Sequence, residues 1–229
     1  MSDDRGRILT AIRSSLGRGA VSDAVRADLE RRLKTPTVNI VPARGRAVDG
    51  EALVAVFIAE AERVQATTRR IADWSGVPGA IATYLQAANL PARLKVAPDP
   101  MLDSVPWDRE AILTVSRGRA ENGDLVSVTS ALVGIAETGT LVLPSGPQSP
   151  TTLNFLPDLH IVALPATRIV GAYEDALVRL RQVYGAGNLP RVVNWITGPS
   201  RTADIEQTLL LGAHGPRRLH ILIVENEQG

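Results

Sequence analysis

Short apolar segments occupy the second half of the chain, and they restrict its fold more than any other feature. The segments are Ala111–Ser116, Leu125–Ala136, Gly139–Pro144, Leu159–Pro165, Val192–Thr197 and Leu219–Val224. Two segments with helical spacing interrupt them, at 172–184 and 204–211. Strands that alternate with helices predict a largely parallel sheet with helices on both faces. The last segment is almost wholly apolar, as expected of a strand buried on both sides.

The residues before this half are predicted to be mainly helical. Apolar residues recur at helical spacing in four segments, Asp4–Leu16, Ser22–Lys34, Asp49–Arg70 and Pro78–Ala88. Ala92–Val96 is a short predicted strand, and 35–48 contains Pro and Gly without a helical repeat. We therefore expect an N-terminal helical arm and linker over 1–48 and an α/β domain over 49–229. The arm either packs on a partner or on the domain, or it is a loosely attached terminus.

Composition excludes several classes of function. Cysteine is absent, so this chain is expected to form no disulfide and to hold no iron–sulfur cluster, which needs thiolate ligands. A net charge of +1 gives no basic face for nucleic acid. Lys34 and Lys95 are the only lysines, so a catalytic lysine is not expected. Without an apolar run near the roughly 20 residues of a membrane span, and without a signal-peptide region, the predicted location is the cytoplasm.

The first candidate site is the segment AETGT at 136–140, between two apolar runs. A β-hairpin turn explains Gly139, because glycine readily adopts the positive φ that a tight turn needs. It does not explain a carboxylate beside two threonines on strands that are otherwise apolar. A partly buried Glu137 suits an acid, a base or an acyl-accepting nucleophile, with Thr138, Gly139 and Thr140 as ligand-binding neighbours.

The second candidate site follows the apolar segment 192–197. The pattern predicts a strand, a Gly-Pro turn and a helix, which is the usual βα unit with its loop at the ligand-binding edge of the sheet. A capped helix start is one explanation of the polar residues, and a ligand site is the other. Arg201 suits a small carboxylate, which its planar guanidinium holds by two parallel hydrogen bonds. The candidate ligand-binding residues are Thr197, Gly198, Ser200, Arg201, Thr202, Asp204 and Glu206.

The histidines give two further candidates for catalysis. His160 and His214 lie near the ends of predicted elements and are candidates for acid–base work, whereas His220 alternates within an apolar strand and is interpreted as structural. Metal binding by His160 and His214 with Asp204 or Glu206 lacks any ligand-like spacing, so no metal site is predicted.

Three strings of residues resemble the LUD domain family, and within it the lactate utilization protein C group. They are SALVGIAETGTLVLPS, LPDLHIVALP and TGPSRTADIEQTLLLGAHGPRRLHILIVE, spread over 111–225. The resemblance implies a three-layer α/β/α domain with a mostly parallel sheet, like that of ribose-5-phosphate isomerase and the CoA transferases.

The resemblance also implies a function. It suggests a cluster-free, non-redox subunit of a system that oxidises L-lactate to pyruvate, whose partner subunits carry iron–sulfur clusters. We expect such a subunit to bind a small 2-hydroxy or 2-keto acid, or a partner subunit. Glu137 with Gly139 also resembles the Glu-x-Gly of CoA transferases. The alternative is therefore a stand-alone enzyme of the CoA-transferase or sugar-phosphate isomerase type that uses Glu137.

Overall fold

The chain divides into two compact units, Met1–Ile40 and Val41–Gly229. The computed structural model describes residues 3–35, 40–43, 49–185, 187–202 and 210–226. The boundary between arm and domain that the sequence predicts at 48/49 stays a prediction.

The first unit contains the two predicted N-terminal helices. They are α1 (Asp3–Ser15) and α2 (Asp23–Lys34). The Ser22 hydroxyl accepts a hydrogen bond from the Val25 backbone N–H at 3.4 Å, so Ser22 caps the start of α2 as its position before the apolar repeat predicts.

The second unit combines helices and strands. Its helices are α3 (Gly50–Arg63), α4 (Val77–Ala87), α5 (Pro100–Asp103), α6 (Thr152–Phe155) and α7 (Tyr173–Tyr184), with 3₁₀ turns at Trp74–Gly76, Trp107–Arg109 and Ala166–Arg168. Its strands are β1 (Thr67–Asp73), β2 (Arg93–Val96), β3 (Thr114–Arg117), β4 (Val126–Ser130), β5 (Val133–Ile135), β6 (Thr140–Pro144), β7 (Leu159–Pro165), β8 (Ile169–Val170), β9 (Val193–Ile196), β10 (Arg201–Thr202), β11 (Leu210–Leu211) and β12 (Arg218–Asn226). Within the described ranges, no helix is both long enough and apolar enough to cross a bilayer.

A six-stranded sheet forms the centre of this unit. Its strand order is β1-β12-β7-β4-β2-β3, and every neighbouring pair is parallel. All seven residues of β7 are buried, which fits the continuous apolar run that predicted this strand. The predicted parallel sheet is confirmed.

Helices cover both faces of the large sheet. Phe57 and Ala61 of α3 pack on one face against β7 and β12, while Ile81 and Leu85 of α4 pack on the other. The three-layer α/β/α architecture is confirmed. Each face encloses its own apolar core, because parallel strands buried on both sides present apolar side chains alternately to each.

A second, smaller sheet was not predicted. Its order is β8-β5-β6-β9, with β6 antiparallel to both β5 and β9. The apolar segment 125–136, expected as one strand, is two strands in different sheets: β4 belongs to the large sheet and β5 to the small one. A short apolar run carries no signal for such a change of sheet, since both halves are buried.

The predicted helix over 49–70 is too long. Helix α3 ends at Arg63, and Thr67–Asp73 is the edge strand β1, paired with β12. The chain turns at Gln65, which has a φ of +69°, a conformation that ends a right-handed helix. Two β-branched threonines follow, and such residues favour the extended backbone.

The small sheet approaches α3 through a glycine. Gly139, in the turn between β5 and β6, has a φ of +64°, and a Cβ placed there would lie 2.3 Å from the Ala61 backbone nitrogen. Any larger residue would both strain the turn and push the helix away. This position therefore requires glycine for two independent reasons.

We predict that Gly139→Ala lowers the free energy of unfolding by about 2–5 kcal/mol, from the strained φ together with the clash. Gly146→Ala is the matched control, because no atom lies within 4 Å of a Cβ there and its φ is not positive; its effect should stay within about 0.5 kcal/mol. Urea denaturation measures both. Equal stability of the two variants would contradict the close approach.

His220 is a core residue, as interpreted from its position in the strand. Its ring stacks on Tyr84 at a centroid distance of 4.0 Å, and its Nδ1 lies 2.8 Å from the Thr67 hydroxyl. Burial lowers the pKa of His220 to about 4, because the charged imidazolium loses its hydration. The folded protein therefore holds this side chain neutral.

Acid should destabilise the protein through His220. The unfolded chain takes up a proton near pH 6.5 and the folded chain only near pH 4, so the free energy of unfolding falls as pH decreases through this window. Between pH 7 and pH 4 the wild type should lose about 3 kcal/mol more than His220→Phe, which keeps the stacking ring. Urea denaturation at a series of pH values tests this. His214→Gln, at an exposed histidine, should follow the wild type; parallel curves for wild type and His220→Phe would refute the prediction.

Candidate functional site

The AETGT segment at 136–140 forms a β-hairpin turn, which was one of the two interpretations of its sequence. It joins β5 to β6, and Ile135 pairs with Thr140 across it. Glu137 is 6% exposed, and its Oε1 accepts a hydrogen bond from the Tyr173 backbone N–H at 3.4 Å. Its Oε2 is buried with no hydrogen-bond partner among the described residues. The carboxylate therefore faces the start of α7.

A cluster of four hydroxyls connects this turn to the loop after β9. The Thr140 hydroxyl lies 2.7 Å from those of Thr138 and Thr197 and 3.0 Å from that of Tyr173. Thr138 also donates to the Tyr173 hydroxyl at 3.3 Å. The two candidate segments are brought together because β6 and β9 are antiparallel neighbours, so the start of one strand meets the end of the other.

The described residues of the second candidate segment depart from the predicted βα unit, and positions 204–209 of the predicted helix lie outside the described residues. Strand β9 belongs to the small sheet, and after it β10 pairs with β11 in an antiparallel ladder, so Leu210 and Leu211 are in a strand where the sequence predicted a helix. The candidate residues Asp204 and Glu206 lie outside the described residues, and Thr202 is described only as part of β10.

A pocket of about 230 Å³ opens beside this loop. It lies at the amino ends of β7 and β12, where His160 and Leu219 are each the second residue of their strand. The loop was expected at the carboxyl edge of the parallel sheet; it lies at the opposite edge, because β9 is not a strand of that sheet. The lining residues are Asn154, Phe155, His160, Trp195, Ile196, Thr197, Gly198, Pro199, Ser200, Arg201, His214, Gly215, Pro216 and Leu219.

Two buried polar side chains line this pocket without satisfying their hydrogen bonds. Asn154 is 1% exposed, and neither atom of its side-chain amide has a partner among the described residues. His160 shares a 2.8 Å hydrogen bond between its Nε2 and the Thr129 hydroxyl, whereas its Nδ1 has no described partner. Burying polar atoms without partners is costly, so such atoms in a pocket point to a ligand or to water.

Burial also sets the charge of His160. It lowers the pKa of this imidazole to about 3, so the ring is neutral near pH 7. A neutral imidazole offers one donor and one acceptor nitrogen. With Nε2 committed to Thr129, Nδ1 is the ring nitrogen of His160 that has no described partner.

The cationic and polar residues of the loop lie at the exposed side of the pocket. Arg201 and His214 are both exposed, and the His214 backbone N–H donates to the Ser200 hydroxyl at 3.3 Å. The Ser200 backbone N–H donates in turn to the Pro216 carbonyl at 2.8 Å, which ties the loop to the segment before β12. The pocket thus combines a guanidinium at the exposed side with neutral polar groups in its buried part.

Sequence reasoning missed several residues of this site, of which Trp195 and Asn154 are the most informative. Trp195 lines the pocket and stacks on Tyr173 at 5.3 Å, which connects the pocket wall to the hydroxyl cluster. Asn154 was missed as well, because a single amide within LNFL has no spacing that marks a site. Among the described residues, no group of three or more histidines and carboxylates is placed to hold a metal ion.

Comparisons with known proteins agree with the fold. A DUF162 family protein from Deinococcus radiodurans, known from a crystal structure, matches with a TM-score of 0.54 and 23% identity, covering 77% of this chain and 99% of that one. At this identity the likeness supports the fold alone.

Relatives in sequence share the second half of the chain. Lactate utilization protein C of Shouchella clausii is 35% identical over 122 residues, 53% of this chain and 52% of that protein. Lactate utilization protein C of Bacillus licheniformis is 35% identical over 109 residues, covering 47% and 45%. An uncharacterized protein of Neisseria meningitidis serogroup B is 41% identical over 96 residues, covering 42% and 40%.

The chain spans about half the length of the curated relatives it matches. The sequence profile of the LUD domain matches residues 110–224, which is half of the chain and includes both candidate segments and the pocket. The chain therefore belongs to the LUD domain family.

Proposed function

We propose that this protein is a cluster-free subunit of a lactate utilization system and that it binds a small 2-hydroxy or 2-keto acid in the pocket beside β9. Two of the relatives described above carry the name lactate utilization protein C. Their name supports lactate utilization as the process. The pocket supports the binding of a small acid.

One observation carries the proposal: the pocket is lined by Arg201 together with Asn154 and His160, two buried residues that have polar atoms without described partners. A guanidinium holds a carboxylate by two parallel hydrogen bonds, which a lysine ammonium does not reproduce. The amide of Asn154 and the neutral imidazole of His160 then form hydrogen bonds with the oxygen on the second carbon of the acid. Phe155 and Trp195 supply apolar surface for the short carbon chain.

The redox step is assigned to other subunits. Oxidation of lactate to pyruvate removes two electrons, and this chain has no cysteine with which to ligate an iron–sulfur cluster. In the proposal, partner subunits carry the clusters and this chain contributes binding and orientation, in the cytoplasm. A carboxylate of a partner subunit is the other occupant that Arg201 suits.

The alternative enzyme that uses Glu137 draws less support. A nucleophile that accepts an acyl group must reach its substrate, and Glu137 is 6% exposed and does not line this pocket. The hydroxyls of Thr140 and Tyr173 connect its turn to the pocket wall. We assign Glu137 the role of fixing the turn against α7, through its hydrogen bond to the Tyr173 backbone.

The proposal predicts that Arg201→Lys weakens the binding of L-lactate or pyruvate by about tenfold. Lysine keeps the positive charge but cannot form the two parallel hydrogen bonds of the guanidinium. Isothermal titration calorimetry with both acids measures the dissociation constant. Arg191→Lys, at an exposed arginine outside the pocket lining, is the control and should bind like the wild type. If the wild type binds neither acid, the small-acid proposal is wrong and a partner's carboxylate becomes the occupant to test.

A second prediction concerns stability and binding together. Asn154→Leu removes a buried amide without described partners, so the free energy of unfolding should rise by about 1–3 kcal/mol while binding of the acid is lost. Asn194→Leu is the matched control, since Asn194 is also buried with an unpartnered Nδ2 but does not line the pocket. A less stable Asn154→Leu variant that binds normally would show that the amide is structural.

A further inference from the structure

A second pocket lies at the other end of the strands of the large sheet, beyond their carboxyl ends. The neighbouring strands β2 and β4 are parallel, but the next strand of this sheet lies on opposite sides of the two: β3 follows β2 on its outer side, and β7, which comes after β5 and β6 of the small sheet, lies on the other side of β4. Such a change of direction opens a crevice outside the carboxyl ends of the two strands. In open α/β sheets this crevice is where ligands bind.

The crevice in this protein holds a cavity of about 520 Å³, within the range of small-molecule sites. Ser130 is the last residue of β4, and Asp99 follows three residues after β2 ends. The lining residues are Asp99, Met101, Ser130, Leu132, Pro144, Ser145, Gly146, Pro147, Gln148, Ser149, Arg168 and Tyr184. None of them lines the pocket beside β9, so the two pockets are distinct.

Asp99 is the most informative polar group of this cavity. Its Oδ1 accepts a hydrogen bond from the Met101 backbone N–H at 2.9 Å, and its Oδ2 accepts one from the Ser130 hydroxyl. These bonds fix the orientation of the carboxylate. Each carboxylate oxygen accepts about two hydrogen bonds, so each retains one acceptor position. Two adjacent acceptor positions on a fixed carboxylate match the two hydroxyls of a vicinal diol.

The opposite wall is a short turn that is already formed. Gly146 and Ser149 exchange two backbone hydrogen bonds of 3.2 and 3.1 Å, which holds Gln148 at the cavity without using its side chain. Leu132 and Pro144 add apolar surface beneath it. A ligand with hydroxyls on one side and a ring face on the other suits this combination.

We propose that this cavity binds the vicinal diol of a furanose sugar, either free or within a nucleoside, with Asp99 accepting from both hydroxyls and Gln148 contacting the same sugar. The site is separate from the pocket beside β9. The proposal does not depend on the function proposed above.

Ligand-observed NMR titration of the full chain tests this with three probes: adenosine, methyl β-D-ribofuranoside and 2′,3′-dideoxyadenosine. Adenosine should bind, and dideoxyadenosine should bind about tenfold more weakly or not at all, because it lacks both hydroxyls. Binding of the ribofuranoside as well identifies the sugar alone as sufficient, whereas binding of adenosine alone identifies a nucleoside. Equal binding of adenosine and dideoxyadenosine, or binding of neither diol, overturns the proposal.

Two variants locate the binding site. Asp99→Asn should weaken adenosine binding by about tenfold, whereas Asp103→Asn, at an exposed carboxylate that pairs with Arg117, should not change it. Gln148→Ala, on an exposed turn held by backbone bonds, keeps the fold and should weaken binding several-fold even if Asp99→Asn is unstable. The assignment is wrong if Gln148→Ala binds adenosine with wild-type affinity and Asp99→Asn either does the same or fails to fold.

Discussion

The arrangement of the two sheets depends on a backbone contact with the end of helix α3. Gly139 lies against Ala61, and Gly198, with a φ of +76°, lies so close that a Cβ there would be 2.3 Å from the Val64 carbonyl oxygen. These glycines belong to the two turns that carry the candidate residues. Because these glycines have no side chain, the small sheet packs directly against the helix backbone, and the helix in turn packs on the large sheet.

This contact explains where the pocket beside β9 forms. The turn containing Gly198 leads from β9 to Arg201, and its distance from α3 fixes how far the loop stands from the amino ends of β7 and β12. The pocket is therefore a product of sheet-to-sheet packing and not of the parallel sheet alone. The other cavity follows from the connections of the parallel sheet itself. These two pockets thus have independent structural origins, one at the amino ends and the other at the carboxyl ends of the strands of one sheet.

Much of the fold was predictable because strands that are buried on both faces appear in the sequence as continuous apolar runs. The apolar run 159–165 predicts a central strand correctly to the residue. Strand β1 could not be predicted in this way, because Ile71 is its only buried residue and the sequence of this edge strand resembles the continuation of a helix. The segment 125–136 changes sheet at Ala131 and Leu132, where there is no glycine or proline, and its one glycine, Gly134, lies inside β5, so the sequence did not reveal the division.

The candidate site was predictable in part for a similar reason. Polar residues between apolar strands drew attention to Thr140, Thr197 and Arg201, and antiparallel pairing brings the first two together. Asn154 was not predictable, since one amide in a short helix has no distinctive spacing. Its importance appears only when the structure shows its burial and its lack of described partners.

The four hydroxyl protons of the cluster are all used within it. Thr138 donates its single proton to Tyr173, so the Thr138–Thr140 bond needs the proton of Thr140, and Tyr173 and Thr197 must then each donate to Thr140. Thr197 has no proton left, and it offers only lone pairs to the pocket that it lines. A hydroxyl group that reaches Thr197 can donate to it, whereas a keto oxygen finds no donor there. The cluster thus favours the alcohol over the ketone at this one atom.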